Sequence, residues 1–89
     1  MARYSLEFSA RAYRQFAKLE RSAQQRLAPA IDTLADDPHP ASSVKLVGGD
    51  DLYRIRVGAY RIVYAIEDDR LVVLVVKLGH RRDVYRENG

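Results

Sequence analysis

At 89 residues the chain has room for one small domain with one core. It is 47% hydrophobic and 30% charged, which excludes a disordered chain, and it has no cysteine, which excludes disulfides, thiolate metal sites and a cysteine nucleophile. Fifteen Lys and Arg against twelve Asp and Glu leave a net charge of +3, a balance that admits an anionic partner without demanding one.

Tyr4, Leu6 and Phe8 alternate with Ser5 and Glu7, the pattern of a strand with one buried face. Ser9 is a good N-cap for a helix in which Ala12, Tyr13, Phe16, Ala17 and Leu19 recur at helical spacing. Ser22 with Gln25 fits a capping box opening a second helix, whose apolar stripe is Leu27, Ile31 and Leu34. Pro29 falls inside that helix, where it removes a hydrogen bond, and a kink is expected there. The Asp-Asp-Pro-His-Pro run at 36–40 ends the helical region.

A weak strand is expected around 44–47. From 52 to 57, Tyr53, Ile55 and Val57 alternate with Leu52, Arg54 and Arg56. Tyr60, Ile62, Tyr64 and Ile66 then alternate with Arg61, Val63 and Ala65. Only Gly58 and Ala59 separate the two runs, and glycine first in a two-residue loop marks a type II′ hairpin. Residues 67–70 make a second turn. Residues 71–78 are apolar on both faces apart from Lys77, as in a central strand. The predicted architecture is an α+β fold of order β-α-α-β-β-β. Two N-terminal helices pack on one face of a small, mainly antiparallel sheet, and residues 1–89 form a single domain.

The longest apolar run, 71–76, is too short to span a bilayer, and residues 1–7 show no signal-peptide core. No membrane partner and a cytoplasmic location are expected. Two histidines do not make a structural zinc site, and neither a metal nor another cofactor is expected.

The charge is unevenly distributed. Residues 52–66 hold three arginines and no acid, whereas the acids cluster at 36–37, 50–51 and 67–69. A two-residue loop sets Arg56 opposite Arg61, with Arg54 on the same face. Like charges so placed cost about 0.2–1 kcal/mol, which points to a phosphate site. The alternative is a solvated face whose arginine stems cover apolar surface. The C-terminal residues His80, Arg81, Arg82, Tyr85 and Arg86 add further basic and aromatic groups. His80 and Tyr85 are able to do proton chemistry or to stack on a base. A lone histidine near a strand end and a lone tyrosine near a terminus are also common structural residues.

Together, Lys45-Leu46-Val47-Gly48, the 52–58 run Leu-Tyr-Arg-Ile-Arg-Val-Gly, the 60–64 run Tyr-Arg-Ile-Val-Tyr and the 76–85 run Val-Lys-Leu-Gly-His-Arg-Arg-Asp-Val-Tyr resemble the RelE/ParE toxin superfamily, its RelE branch in particular. The resemblance implies the toxin of a type II toxin–antitoxin pair. RelE-type members are ribosome-dependent endoribonucleases that cut mRNA in the ribosomal A site, and ParE-type members inhibit DNA gyrase. It implies a cognate antitoxin, a small acidic protein, a toxin–antitoxin hetero-oligomer, and mRNA on the ribosome as substrate. A ParE-like gyrase inhibitor and a non-catalytic antitoxin-binding homologue are the alternatives.

The family's metal-independent reaction is attack of a ribose 2′-hydroxyl on the adjacent phosphate. Carried over, the resemblance makes Arg61 the contact to the reacting phosphate and Arg81 the basic group stabilising the transition state. It makes Tyr85 the aromatic that stacks on or orients the substrate. Arg54 and Arg56 fall where studied RelE enzymes carry a pair of lysines, one of them the proposed general base. Arginine is a poor proton acceptor, so these two are phosphate clamps. The base is then open among His80, Tyr85 and a ribosomal group. Lys45 and Arg82 complete the expected substrate contacts.

Overall fold

The computed structural model describes residues 3–48 and 51–82. Strand β1 (Ser5–Phe8) leads into helices α1 (Ala10–Ala17) and α2 (Arg21–Asp36), followed by strands β2 (Val44–Lys45), β3 (Leu52–Val57), β4 (Tyr60–Glu67) and β5 (Val72–His80). The strands form one sheet of order β1-β5-β4-β3-β2. β1 pairs with β5 in parallel, and the other pairings are antiparallel. The expected α+β arrangement holds, with the first strand placed beside the last.

Local sequence explains most of these elements. The Ser9 side chain caps α1 by accepting from the Ala12 N–H at 3.0 Å, and its hydroxyl donates to the Val76 carbonyl of β5 at 2.6 Å. One residue thus starts the helix and ties it to the sheet. The expected capping box at Ser22 is corrected. The N-cap of α2 is Glu20, which makes no side-chain capping bond, and Ser22 lies in the first helical turn. The helices are joined by the Gln24 side-chain amide, which donates to the Phe16 carbonyl at 2.8 Å. α2 continues through Pro29, whose ring is exposed.

The core lies between the helices and one sheet face. Leu27, Ile31 and Leu34 of α2 and Ala12 of α1 meet Ile55, Ile62, Tyr64, Ile66, Val73, Val75 and Leu78. Full burial of each such aliphatic side chain stabilises by about 1.5–3 kcal/mol, enough collectively to fix which sheet face turns inward. At the far end, Leu71 belongs to the turn rather than to β5: its φ is 53°, and its N–H donates to the Asp68 carbonyl at 3.3 Å. Among the described residues, no helix is long and apolar enough to cross a membrane.

Candidate active site

The site is built on the β3–β4 hairpin. Gly58 has φ 61°, and Ala59 has no positive φ, the combination a type II′ turn requires. That two-residue loop fixes the register as Val57 opposite Tyr60, Arg56 opposite Arg61, Ile55 opposite Ile62 and Arg54 opposite Val63. Ile55 and Ile62 are in the core, so period-two alternation puts Arg54, Arg56 and Arg61 together on the outer face.

Arg61 stands on an interior strand, between Arg56 on β3 and Gly79 on β5. It is only 6% exposed, whereas Arg54 is half-buried and Arg56 is exposed. Directly opposed residues project from the same face, their Cβ atoms about 4.5–5.5 Å apart. A glycine at 79 therefore leaves the β5 flank of Arg61 without a side chain. Val63, 3% exposed, lies between Arg54 and Lys77 in the next row. The surface is an apolar floor ringed by cations, suited to a phosphate whose charge grows during reaction.

The chain leaves β5 beside the hairpin turn. The Arg81 N–H donates to the Ala59 carbonyl at 2.8 Å, which pins the start of the basic tail to the same end of the sheet as Arg56 and Arg61. Arg81 and Arg82 are exposed. Tyr85 lies outside the described residues.

His80 and Lys45 are placed differently from the arginines. His80 pairs with Tyr60 and so belongs to the helix-covered face, where the two rings meet edge to face at 5.9 Å. Its Nδ1 accepts from the Arg82 N–H at 3.3 Å. In the neutral tautomer that fits this bond, Nε2 carries the proton and the basic nitrogen is the one already engaged. Lys45 pairs with Tyr53, again on the helix face, where Tyr53 stacks on Tyr64 and meets His39 edge to face. The structure thus joins Arg54, Arg56 and Arg61, sets Arg81 and Arg82 at their edge, and does not bring Lys45 or His80 onto that face.

Several acids are paired at the opposite end of the strands. Arg3 binds Asp32 at 2.7 Å and Asp36 at 3.0 Å, and Arg70 binds Glu67 at 2.8 Å and lies 3.8 Å from Glu7. Arg54, Arg56 and Arg61 lie toward the hairpin.

Sequence reasoning passed over Lys77. β5 carries an extra residue where the β4 register shifts at Val63/Tyr64, so Lys77 pairs with Val63 while Val75 pairs with Tyr64. The available signal was parity with Gly79 and opposition to the apolar Leu78.

Residues 4–85 match the family model described as the ParE toxin of the type II toxin–antitoxin system parDE. The chain is 32% identical over 88 residues to the mRNA interferase toxin RelE of Escherichia coli strain K12, covering 94% of this chain and 92% of that protein. It superposes on the crystal structure of the intact E. coli RelBE toxin–antitoxin complex with a TM-score of 0.77 at 31% identity, covering 86% of this chain and 95% of that one. The RelBE2 complex of Mycobacterium tuberculosis gives a TM-score of 0.81 at 24% identity, covering 91% and 94%, a likeness of fold. The chain belongs to the RelE/ParE family of type II toxin–antitoxin toxins and is RelE-like within it.

Proposed function

We propose that this protein is the toxin of a type II pair and inhibits translation by cutting mRNA on the ribosome. The observation that carries the reading is Arg61, buried on an interior strand between Arg56 and Gly79, which contributes no side chain. A polar side chain held this firmly, with cations beside it, is suited to a reacting phosphate.

The chemistry needs a base for the 2′-hydroxyl proton, cations for the growing phosphate charge and a proton for the leaving oxygen. The substrate 2′-oxygen attacks phosphorus, the bond from phosphorus to the 5′-oxygen breaks, and a cyclic phosphate forms. Arg61 holds the non-bridging oxygens as their charge grows, and Arg54 and Arg56 hold the scissile and flanking phosphates along β3. Arg81, whose backbone is anchored to Ala59, is assigned to the leaving side. Tyr85 is assigned to stacking on the nucleotide base.

The partner is an antitoxin, as in the RelBE complexes the chain superposes on. An apolar groove lined by Leu6, Phe8, Phe16, Ala28 and Ile31 runs beside the sheet edge at β1, and it suits an apolar antitoxin segment. An acidic segment suits the arginine face. Toxin, antitoxin and ribosome meet in the cytoplasm.

Induced expression in a bacterial host tests the reading. Growth arrest that disappears with Arg61→Ala and with Arg81→Ala is expected. Arrest that survives both changes contradicts a catalytic phosphate site and favours a gyrase-directed or purely binding activity.

A further inference from the structure

Attack by a 2′-hydroxyl requires a group that takes its proton, and a guanidinium does not serve near neutral pH. Arg54, Arg56 and Arg61 leave that step unassigned. The sheet register shows which other titratable groups share their face. Arg54, Val63 and Lys77 form one cross-strand row, and Arg56, Arg61 and Gly79 form the next. Lys77 is therefore a diagonal neighbour of Arg61, a relation in which backbones lie about 7–8 Å apart and long side chains meet. It is half-buried, and it is the preceding side chain on this face of β5 before the gap at Gly79.

The other titratable groups on the strands are placed differently. Tyr53, Tyr60, Tyr64, Lys45 and His80 belong to the helix face. Glu67 shares the outer face but lies at its far end, opposite Val72, and Glu7 stands on the edge strand β1 one row from Lys77; Arg70 lies 3.8 Å from Glu7 and 2.8 Å from Glu67. An amine differs from the surrounding guanidiniums in being able to lose its proton and regain it during a reaction cycle.

We propose that Lys77 is the catalytic base for RNA cleavage, an assignment that rests on the ribonuclease reading above. Neutral Lys77 Nζ takes the 2′-hydroxyl proton as the 2′-oxygen forms its bond to phosphorus. The bond to the 5′-oxygen breaks, its electron pair stays on that oxygen, and solvent protonates it. The ammonium then returns its proton to solvent. Lysine here does from β5 what the arginines of β3 do not.

The test is single-turnover cleavage of a reporter mRNA on translating ribosomes, across pH, by the wild type, Lys77→Arg and Lys77→Met. Methionine keeps most of the stem's packing, and arginine keeps the charge. Circular dichroism confirms folding, and Lys77→Arg carries the test if Lys77→Met does not fold. The wild-type rate is expected to rise about tenfold per pH unit before levelling, and both variants to fall by about 100-fold or more and lose that rise. Half-saturation by Lys77→Arg stays within about threefold of the wild type, because the change is in rate and not in binding. A cutting wild type matched by an equally active Lys77→Arg overturns the assignment alone and makes Lys77 a cation only. A wild type that cuts nothing on translating ribosomes overturns the ribonuclease reading, and the assignment with it.

Discussion

Arg56 and Arg61 face each other directly across the β3–β4 ladder, one exposed and the other 6% exposed. Like charges in this position oppose folding, a cost that the proposed phosphate contact would offset. Arg56→Thr is expected to raise stability by about 0.2–1 kcal/mol in urea unfolding, since threonine suits a strand and removes the repulsion. It is also expected to weaken ribosome association and to flatten its log–log salt dependence by about 0.7–0.9, the slope lost with one phosphate contact. A variant less stable than the wild type, or an unchanged salt slope, contradicts this account of the pair.

Ser9 holds two elements at once, through the Ala12 N–H and the Val76 carbonyl. Ser9→Ala is expected to cost about 0.5–2 kcal/mol in thermal or chemical unfolding, the usual loss for an N-cap. Cleavage by the folded fraction should be little changed, because Ser9 does not share the arginine face. A loss of rate without a loss of stability would place Ser9 closer to the chemistry than this structure does.

Tyr64 is fully buried, and its hydroxyl donates to the Pro38 carbonyl at 2.8 Å. Burial pushes its ionisation up to about 12 from an ordinary value of 10.0. The folded state therefore disfavours the phenolate. Its stabilising contribution is complete below pH 10 and is lost as pH climbs toward 12. Tyr64→Phe should cost about 1–3 kcal/mol at neutral pH by orphaning that carbonyl, and should unfold with a weaker dependence on pH in the alkaline range. Parallel alkaline unfolding curves for the two proteins would contradict the assignment.

Phe8 is 37% exposed on the groove between β1 and the helices. If an antitoxin fills that groove, Phe8→Asp should weaken its binding at least about tenfold, or about 1.4 kcal/mol, by calorimetry. Ribosome-dependent cleavage should persist, since the arginine face is on the other side of the sheet. Unchanged antitoxin affinity would move the docking surface away from this groove.

The hairpin register was legible because two residues of loop, one a glycine, allow a single pairing, and the three arginines follow from it by parity. The α1 cap at Ser9 was legible for the same reason: a local hydrogen bond decides it. β5 was less transparent. Residues 71–78 are apolar on both faces, so their periodicity carries no phase, and the extra residue before Lys77 shifts the alternation. The ladder sets the faces of Lys77 and His80; for Lys77 the sequence offered only its parity with Gly79 and its opposition to Leu78. The start of α2 was misplaced because Ser22 and Gln25 fit a capping pattern that the chain does not use, Glu20 taking the N-cap position without a side-chain bond. The placement of β1 beside β5 depends on contacts distant in sequence, which no local pattern encodes.

The most direct test of the central claim adds the purified chain to a bacterial translation extract and maps the 5′ ends of a reporter mRNA. Cuts at A-site positions are expected, present only with translating ribosomes and lost with Arg61→Ala. Intact mRNA under blocked translation, or uninhibited translation, would contradict cleavage at the arginine face.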